Sequence, residues 1–457
     1  MNPSQYAQSH FDDFIDELKR LVRVPSISFP GFPKEEMDRS AQAVAALLRE
    51  SGLENVQVLL FEGGNPYVYG DWLHAEGKPT LVLYAHHDVQ PVGREELWQS
   101  KPFEPEERNG RLYGRGAADD KAGIIVHTSA ISSYLRTMGK LPVNVKVIIE
   151  GEEEVGSSNL IPFLQKYSQK LAGDVIVITD SGNFDTGVPT ITTSLRGHIA
   201  LEVEVKVMKG SLHSGTWGGP IPDPVMALSK MIATLVDKEG RVAIPGFYDD
   251  LRPLNEVEKQ SMQLLGYSDE IFRKQAGLFP GVQLLGGDIN PWLKKTRLPS
   301  IAIYAFQASS RKNAGNIVND SAWCKIGIRI VPDMDPKKVM KQLQDFLLKQ
   351  VPWGVHVDLK PLSADTWWMT DPQGPVFEKA RRALTKAYGK PTVAIGEGGA
   401  IPFIRPFSEL LGGAPALLIG VEDPYTNAHA ENESVHLGDL KKAILSAVYL
   451  YEELGEQ

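Results

Sequence analysis

Four short runs constrain this chain more than anything else in it. VQVLLF (56–61), TLVLYA (80–85), VKVIIE (145–150) and DVIVIT (174–179) are almost continuously apolar. Each therefore reads as a strand buried on both faces, as in a parallel or mixed sheet covered by helices. AGIIVHTSAISSYLRTMG (122–139) is the expected crossover helix between two of them. Upstream, Ser9 and Asp12 read as a capping box that opens a helix carrying Phe11, Phe14, Ile15, Leu18 and Val22 and stopped by Pro25. AQAVAALLRESG (41–52) is a second amphipathic helix with Gly52 at its C-cap.

The pattern changes near residue 195. HIALEVEVKV (198–207) alternates apolar and charged residues, the mark of a strand with one wet face. PVMALSKMIATLVD (224–237) reads as a helix, CKIGIRIVP (324–332) as a half-exposed strand, PKKVMKQLQDFLLKQV (336–351) as a helix and VHVDLKPL (355–362) as a last strand. That order predicts a small α+β layer, ferredoxin-like, with helices on one face of an antiparallel sheet. Beyond it helix and apolar strand return in VFEKARRALTKAYG and APALLIG. A chain of 457 residues exceeds one ordinary core. The expected organisation is an α/β domain, its mixed, mostly parallel sheet flanked by helices, built from residues 1–194 and 363–457, with a lid at 195–362 inserted into it.

Composition excludes several roles. Hydrophobic residues make up 42% and charged residues 23%, the balance of a soluble globular protein. A net charge of -9 with no basic stripe argues against nucleic acid as the main partner. No apolar run approaches the ~20 residues that span a bilayer. The N-terminus MNPSQYAQSHFDDF has neither the basic nor the apolar region of a secretory signal, and a lone cysteine, Cys324, allows no internal disulfide. The cytoplasm is the expected compartment.

Chemistry gathers at the strand ends. His86, His87 and Asp88 follow the second apolar run, and Asp119 and Asp120 precede the crossover helix. Glu152, Glu153 and Glu154 follow the third run, Asp180 the fourth, and His429 follows the apolar run at 414–420. Ligand sites in open α/β sheets lie beyond the carboxyl ends of the strands, so these groups are expected to converge. So many carboxylates would raise one another's pKa values unless cations sat between them. A His, Asp and Glu set suits zinc, with manganese or cobalt as alternatives. Each piece alone is weak evidence: a lone histidine after a strand is more often a hydrogen-bonded core residue, and EEE is more often a solvated turn. By strand alternation His87 points away from His86 and is expected to serve packing. GRGAADD could pass for a phosphate loop, but it lacks a third glycine and its two acids would repel pyrophosphate.

AHHDVQP, LYGRGAADDKAG, EGEEEVGSSNL, ITDSG and NAHAENE, in this order and spacing, resemble the dinuclear-zinc exopeptidase family. That family includes carnosinase-type and cysteinylglycine dipeptidases, glutamate carboxypeptidase, aminoacylase and succinyl-diaminopimelate desuccinylase, and the resemblance is to its dipeptidase branch. It implies a zinc-exopeptidase-like core with a lid/dimerisation domain. It implies that His86 and Asp180 hold one metal ion, Glu154 and His429 a second, and Asp119 bridges them, with a cis peptide between Asp119 and Asp120. Glu153 would be the general base and Asp88 would accept the far ring N–H of His86 to fix its tautomer. The register within EEE rests on the pattern E-E-x-G-S, met from Glu153 to Ser157, which leaves Glu152 an onlooker. Two such ions ~3.5–4 Å apart would share a water and lower its pKa toward ~7.

In the lid, His213 of KGSLHSGTWGG resembles a histidine that crosses a homodimer to the substrate carbonyl. Arg329 matches an arginine that grips the substrate's carboxylate, and Asn316 a position near the substrate. Gly398, Gly399 and Ala400 resemble a turn offering backbone N–H groups to that carboxylate. Ala400 stands where the carnosinase pattern has serine, which removes one anchoring hydroxyl; Ala85 replaces a usual glycine. The implied activity is hydrolysis of dipeptides or short peptides with a free C-terminal carboxylate. The alternatives are an N-acyl-amino-acid deacylase on the same scaffold, a binding protein that lost catalysis, and a nucleotide-dependent enzyme.

Overall fold

The computed structural model describes residues 1–61 and 63–456. The second apolar run forms the strand Thr80–His86, buried from Leu81 onward, with a parallel neighbour on each side, Asn144–Glu150 and Val175–Ile178. Ala416–Ile419 extends the parallel set past Val175–Ile178, and Thr190–Leu195 pairs with it antiparallel. On the other flank Tyr67–Trp72 and Glu54–Leu59 add antiparallel strands. The sheet is mixed, and parallel at its centre.

The run at 56–61 departs from expectation. It forms the edge strand Glu54–Leu59, which has one neighbour and no fully buried residue. An edge strand with a single partner keeps part of its surface in water. The start of the N-terminal helical segment also differs from expectation. The expected helix is present as Phe11–Val22, but a further helix, Pro3–Ser9, precedes it, and the capping box joins Asn2 to Gln5 rather than Ser9 to Asp12. Pro3, with its φ already set for a helix, starts the first turn just after Asn2.

The crossover helix Lys121–Met138 is buried on almost every face between the sheet and the C-terminal helix Leu437–Gly455. Its residue Gly123 is required by a close approach. A Cβ there would lie 2.4 Å from the Asp120 carboxylate and 2.5 Å from Thr179 Oγ1.

The chain divides into two units, one made of residues 1–193, 370–395 and the segment from 403 on, the other of 194–369 with 396–402. The second unit runs past 362 because its last strand, His356–Asp365, extends three residues further than its apolar pattern suggests. Its chain order is strand Gly197–Lys206, helix Pro224–Ala233, strands Ser300–Gln307 and Ser321–Ile330, helix Pro336–Lys349, then strand His356–Asp365. The sheet order, Ser300–Gln307, Ser321–Ile330, Gly197–Lys206, His356–Asp365, makes this the βαββαβ arrangement of ferredoxin-like layers. Alternation explains its single core. Ile199, Leu201, Val203 and Val205 face inward with Cys324, Ile326 and Ile328 to meet Leu228, Met231, Leu343 and Leu347. Among the described residues no helix is long and apolar enough to cross a membrane.

Candidate metal centre

The parallel strands of the first unit end on one edge, and the polar clusters follow them there. His86 closes its strand, and Asp180 comes two residues after the strand Val175–Ile178. Glu153 and Glu154 open the short turn Glu153–Val155 beyond Asn144–Glu150. Asp119 lies just ahead of the crossover helix, joined to Asp120 by a cis peptide bond. His429, in the loop after Ala416–Ile419, holds a φ of 63°.

These side chains form two groups that share one residue: His86, Asp119 and Asp180, and Asp119, Glu154 and His429. Within each group the candidate ligand atoms lie within 4.8 Å of one another. Asp119 turns one oxygen to each half. Its Oδ1 is 3.0 Å from His86 Nε2 and its Oδ2 is 3.0 Å from His429 Nε2. Asp180 Oδ2 lies 3.9 Å from His86 Nε2, and Glu154 Oε2 lies 3.2 Å from His429 Nε2.

The electrostatics show what this arrangement calls for. Burial opposes charge on His86, yet Asp119 and Asp88 raise its pKa well above the usual imidazole range. Partial desolvation opposes charge on His429, whose side chain is still 58% exposed, but Asp119 and Glu154 raise its pKa to about 11. Burial works to raise Asp119, but the two imidazoles hold it below the usual carboxylate range. Burial raises Glu153 well above that range, with repulsion from Asp180, Glu154 and Asp119 and opposition from His86. Left to themselves, the acids recruit protons onto both imidazoles. A pair of divalent cations would supply positive charge in place of those protons, and two imidazoles with three carboxylates and no thiol are a fitting donor set.

Asp88 organises the second layer. His86 Nδ1 lies 3.1 Å from the Asp88 carbonyl oxygen and 3.3 Å from its Oδ1. The backbone N–H groups of Glu153 and Glu154 donate to Asp88 Oδ1 and Oδ2 at 3.2 and 3.0 Å. One carboxylate thus orients a histidine and the neighbouring pair of acids together. His87 turns the other way, buried against Ser40 Oγ at 3.1 Å and the Pro66 carbonyl at 2.9 Å. Burial lowers its pKa to about 4, so it is a neutral packing residue. Glu152 also faces away, accepting from Tyr67 Oη at 2.7 Å and Asn159 N at 3.0 Å.

Three supporting residues escape sequence reasoning. Gln90 donates to both oxygens of Glu154, from its backbone N at 3.1 Å and from Nε2 at 2.6 Å. Glu433, fully buried, accepts from the backbone N–H groups of Gly116, Ala118 and Asp119 at 2.9, 3.1 and 3.1 Å. Arg115 Nη1 completes that cluster, 2.7 Å from Glu433 Oε2. A signal existed: the turn 114–119 presents successive N–H groups that require an acceptor. Nothing in the sequence says which acid supplies it.

In the second unit, His213 is exposed and its Nδ1 accepts from Thr216 N at 3.2 Å. The strand Leu212–His213 pairs with Ile317–Val318, and the Asn316 carbonyl accepts from Ser214 N at 2.9 Å, so His213 and Asn316 are neighbours. Arg329 is half-buried on its strand between cross-strand partners Ser300 and His198. The turn at Gly398, Gly399 and Ala400 is held by Arg196, which donates from Nε to Gly398 O at 3.1 Å and from its backbone N to Gly399 O at 3.0 Å. The described hydrogen bonds of that turn use its carbonyl oxygens and none of its three N–H groups.

Residues 82–453 match Peptidase family M20/M25/M40. A cysteinylglycine-S-conjugate dipeptidase of Corynebacterium striatum is 33% identical over 417 residues, 90% of this chain and 89% of that one. Human carnosine dipeptidase 1 superposes with a TM-score of 0.89 at 26% identity, covering 100% of this chain and 98% of that structure. A metallo-carboxypeptidase of Sulfolobus solfataricus superposes with a TM-score of 0.83 at 29% identity, covering 97% and 99%.

Proposed function

The chain belongs to Peptidase family M20/M25/M40 and is a hydrolase of the metallopeptidase type; from that premise we propose that it cleaves the amide bond of dipeptides or short peptides bearing a free C-terminal carboxylate. The observation that carries this reading is Asp119, whose two oxygens face two separate histidine and acid groups, with Glu153 adjoining both. His86, Asp119 and Asp180 would hold one divalent ion and Asp119, Glu154 and His429 the other, zinc being the ion proposed. When bound, such a pair supplies an acidified water and positive charge for a developing oxyanion.

The chain's own residues do the rest. Glu153 takes the proton from the attacking water and returns it to the leaving amine, the task of a positioned carboxylate. Asp88 keeps the His86 ring oriented and fixes the backbone of Glu153. Arg329 grips the substrate carboxylate, with Asn316 and the 398–400 turn beside the substrate. Ala400 contributes only backbone there, so recognition of the carboxylate leans on the guanidinium.

The discriminating experiment assays a dipeptide panel beside N-acyl amino acids. Dipeptide turnover is the expected result. Turnover of the acyl series alone would replace this reading with the deacylase, since both substrates present the same carboxylate to Arg329.

The proposed working unit is a cytoplasmic homodimer in which His213 serves the neighbouring subunit's site. Two features support it: His213 stands exposed, and the edge strand Ser300–Gln307 leaves Ile303, Tyr304 and Phe306 uncovered. Specific activity is therefore expected to fall on dilution below the dimer dissociation constant. A proven monomer with undiminished activity would refute the crossing.

A further inference from the structure

The second unit contains a cavity of about 910 Å³, lined entirely by its own residues. Its walls are mostly apolar, with Leu251, Phe272, Val282, Leu285 and Ile289 among them. Val282, Leu285 and Ile289 remain 45%, 63% and 39% exposed. This volume lies toward the upper end of the ~300–1,000 Å³ typical of small-molecule sites. An apolar lining alone would not say what fills it. The charges do.

Four cations line the cavity, Arg196, Arg241, Lys294 and Lys295, against one carboxylate, Asp237. Arg241 already uses that carboxylate, its Nε 2.9 Å from Asp237 Oδ2. Lys294 Nζ donates to the Gly287 carbonyl at 2.8 Å. Lys295 lies over the Trp292 ring, and Glu397 partly offsets the burial that lowers its pKa. Arg196, like Lys294, has no carboxylate partner among the described residues, and it makes the largest set of such neutral bonds. Among the described residues its guanidinium donates only to neutral oxygens, Gly398 O at 3.1 Å, Ser300 Oγ at 3.0 Å and Leu298 O at 3.5 Å. Burial and then the like charge of Arg329 lower its pKa to about 10. A desolvated guanidinium bonded to neutral groups, at the wall of an apolar cavity, is complementary to an anion with an apolar body.

We propose that this cavity binds an amphipathic anion, its apolar body seated among Leu251, Phe272, Val282 and Ile289 and its carboxylate-type head on the Arg196 guanidinium. Binding there needs neither a metal ion nor a dipeptide, although Arg196 also holds the 398–400 turn that the hydrolytic reading sets beside the substrate.

The test is calorimetric titration of the full-length, metal-loaded protein with decanoate below its micelle concentration. Saturable one-to-one binding is expected. Decyltrimethylammonium, of equal chain length and opposite charge, is expected to bind at least about tenfold more weakly, the scale set by one misplaced charge. Leu285→Glu puts a carboxylate at an exposed wall position and should weaken decanoate by a similar factor without disturbing the fold. Arg196→Gln should weaken decanoate yet leave decanol binding near that of the unaltered protein, and Arg196→Lys should restore part of the loss. The proposal is overturned if decanoate shows no saturable binding, as it would if a second copy of the chain sealed the cavity. It is also overturned if the cationic amphiphile binds equally well, or if both Leu285→Glu and Arg196→Gln bind decanoate as the unaltered protein does.

Discussion

Replacing Glu153 with glutamine is expected to lower kcat by about 10²–10⁴-fold, the usual contribution of a positioned general base. Metal content should stay unchanged. Glutamine keeps the volume and the backbone N–H that Asp88 accepts at 3.2 Å, and none of the five candidate ligands is touched. The change removes only the ability to take and return a proton. Steady-state kinetics and elemental analysis of the same preparation check both halves. A kcat within a few-fold of the unaltered protein, with metal still bound, would mean that another group moves the proton. A matching loss of metal would make Glu153 a ligand instead.

Glu433→Ala should cost about 3–5 kcal/mol of stability, the penalty for stranding one member of a buried ion pair. Glu433 and Arg115 are 0% and 1% exposed, so little solvent screens the loss. The substitution also takes the acceptor from three backbone N–H groups of the turn that carries Asp119. Metal affinity should therefore fall together with the denaturation midpoint. Glu433→Gln retains an acceptor and should lose less of both. A midpoint shift worth under about 1 kcal/mol, with metal affinity intact, would show that the turn holds its shape without this anchor.

The sheet is legible at three of the four apolar runs, where both faces of the strand are buried; the run at 56–61 is an edge strand instead. Thr80–His86, Asn144–Glu150 and Val175–Ile178 fall within a residue or two of their runs. Tyr67–Trp72 was not legible, although it is wholly buried, because Gly70 and Asp71 interrupt it. Both interruptions have tertiary reasons. A Cβ on Gly70 would lie 3.2 Å from Val56 Cγ2, and Asp71 is satisfied by Tyr69 Oη at 2.6 Å and Asn55 Nδ2 at 2.9 Å. The strand Ser300–Gln307 and the helices Glu256–Leu265, Asp269–Gln275 and Pro291–Thr296 are also not assigned from pattern, the last two, of 7 and 6 residues, being too brief to establish a period. The candidate ligands were readable from residue type and position at strand ends. Gln90, Arg115 and Glu433 were not, because they act on backbone groups and on other side chains, and residue type alone does not reveal such a role.

The anchor of Asp119 lies 314 residues further along the chain. At a synthesis rate of about 5–20 residues per second, roughly 15–60 s separate the two on the ribosome. During that interval the N-terminal acids have been made, but neither the last imidazole nor the carboxylate that pins their turn yet exists. Until His429 and Glu433 have been added, the second ligand group lacks its imidazole and the turn that carries Asp119 lacks its acceptor.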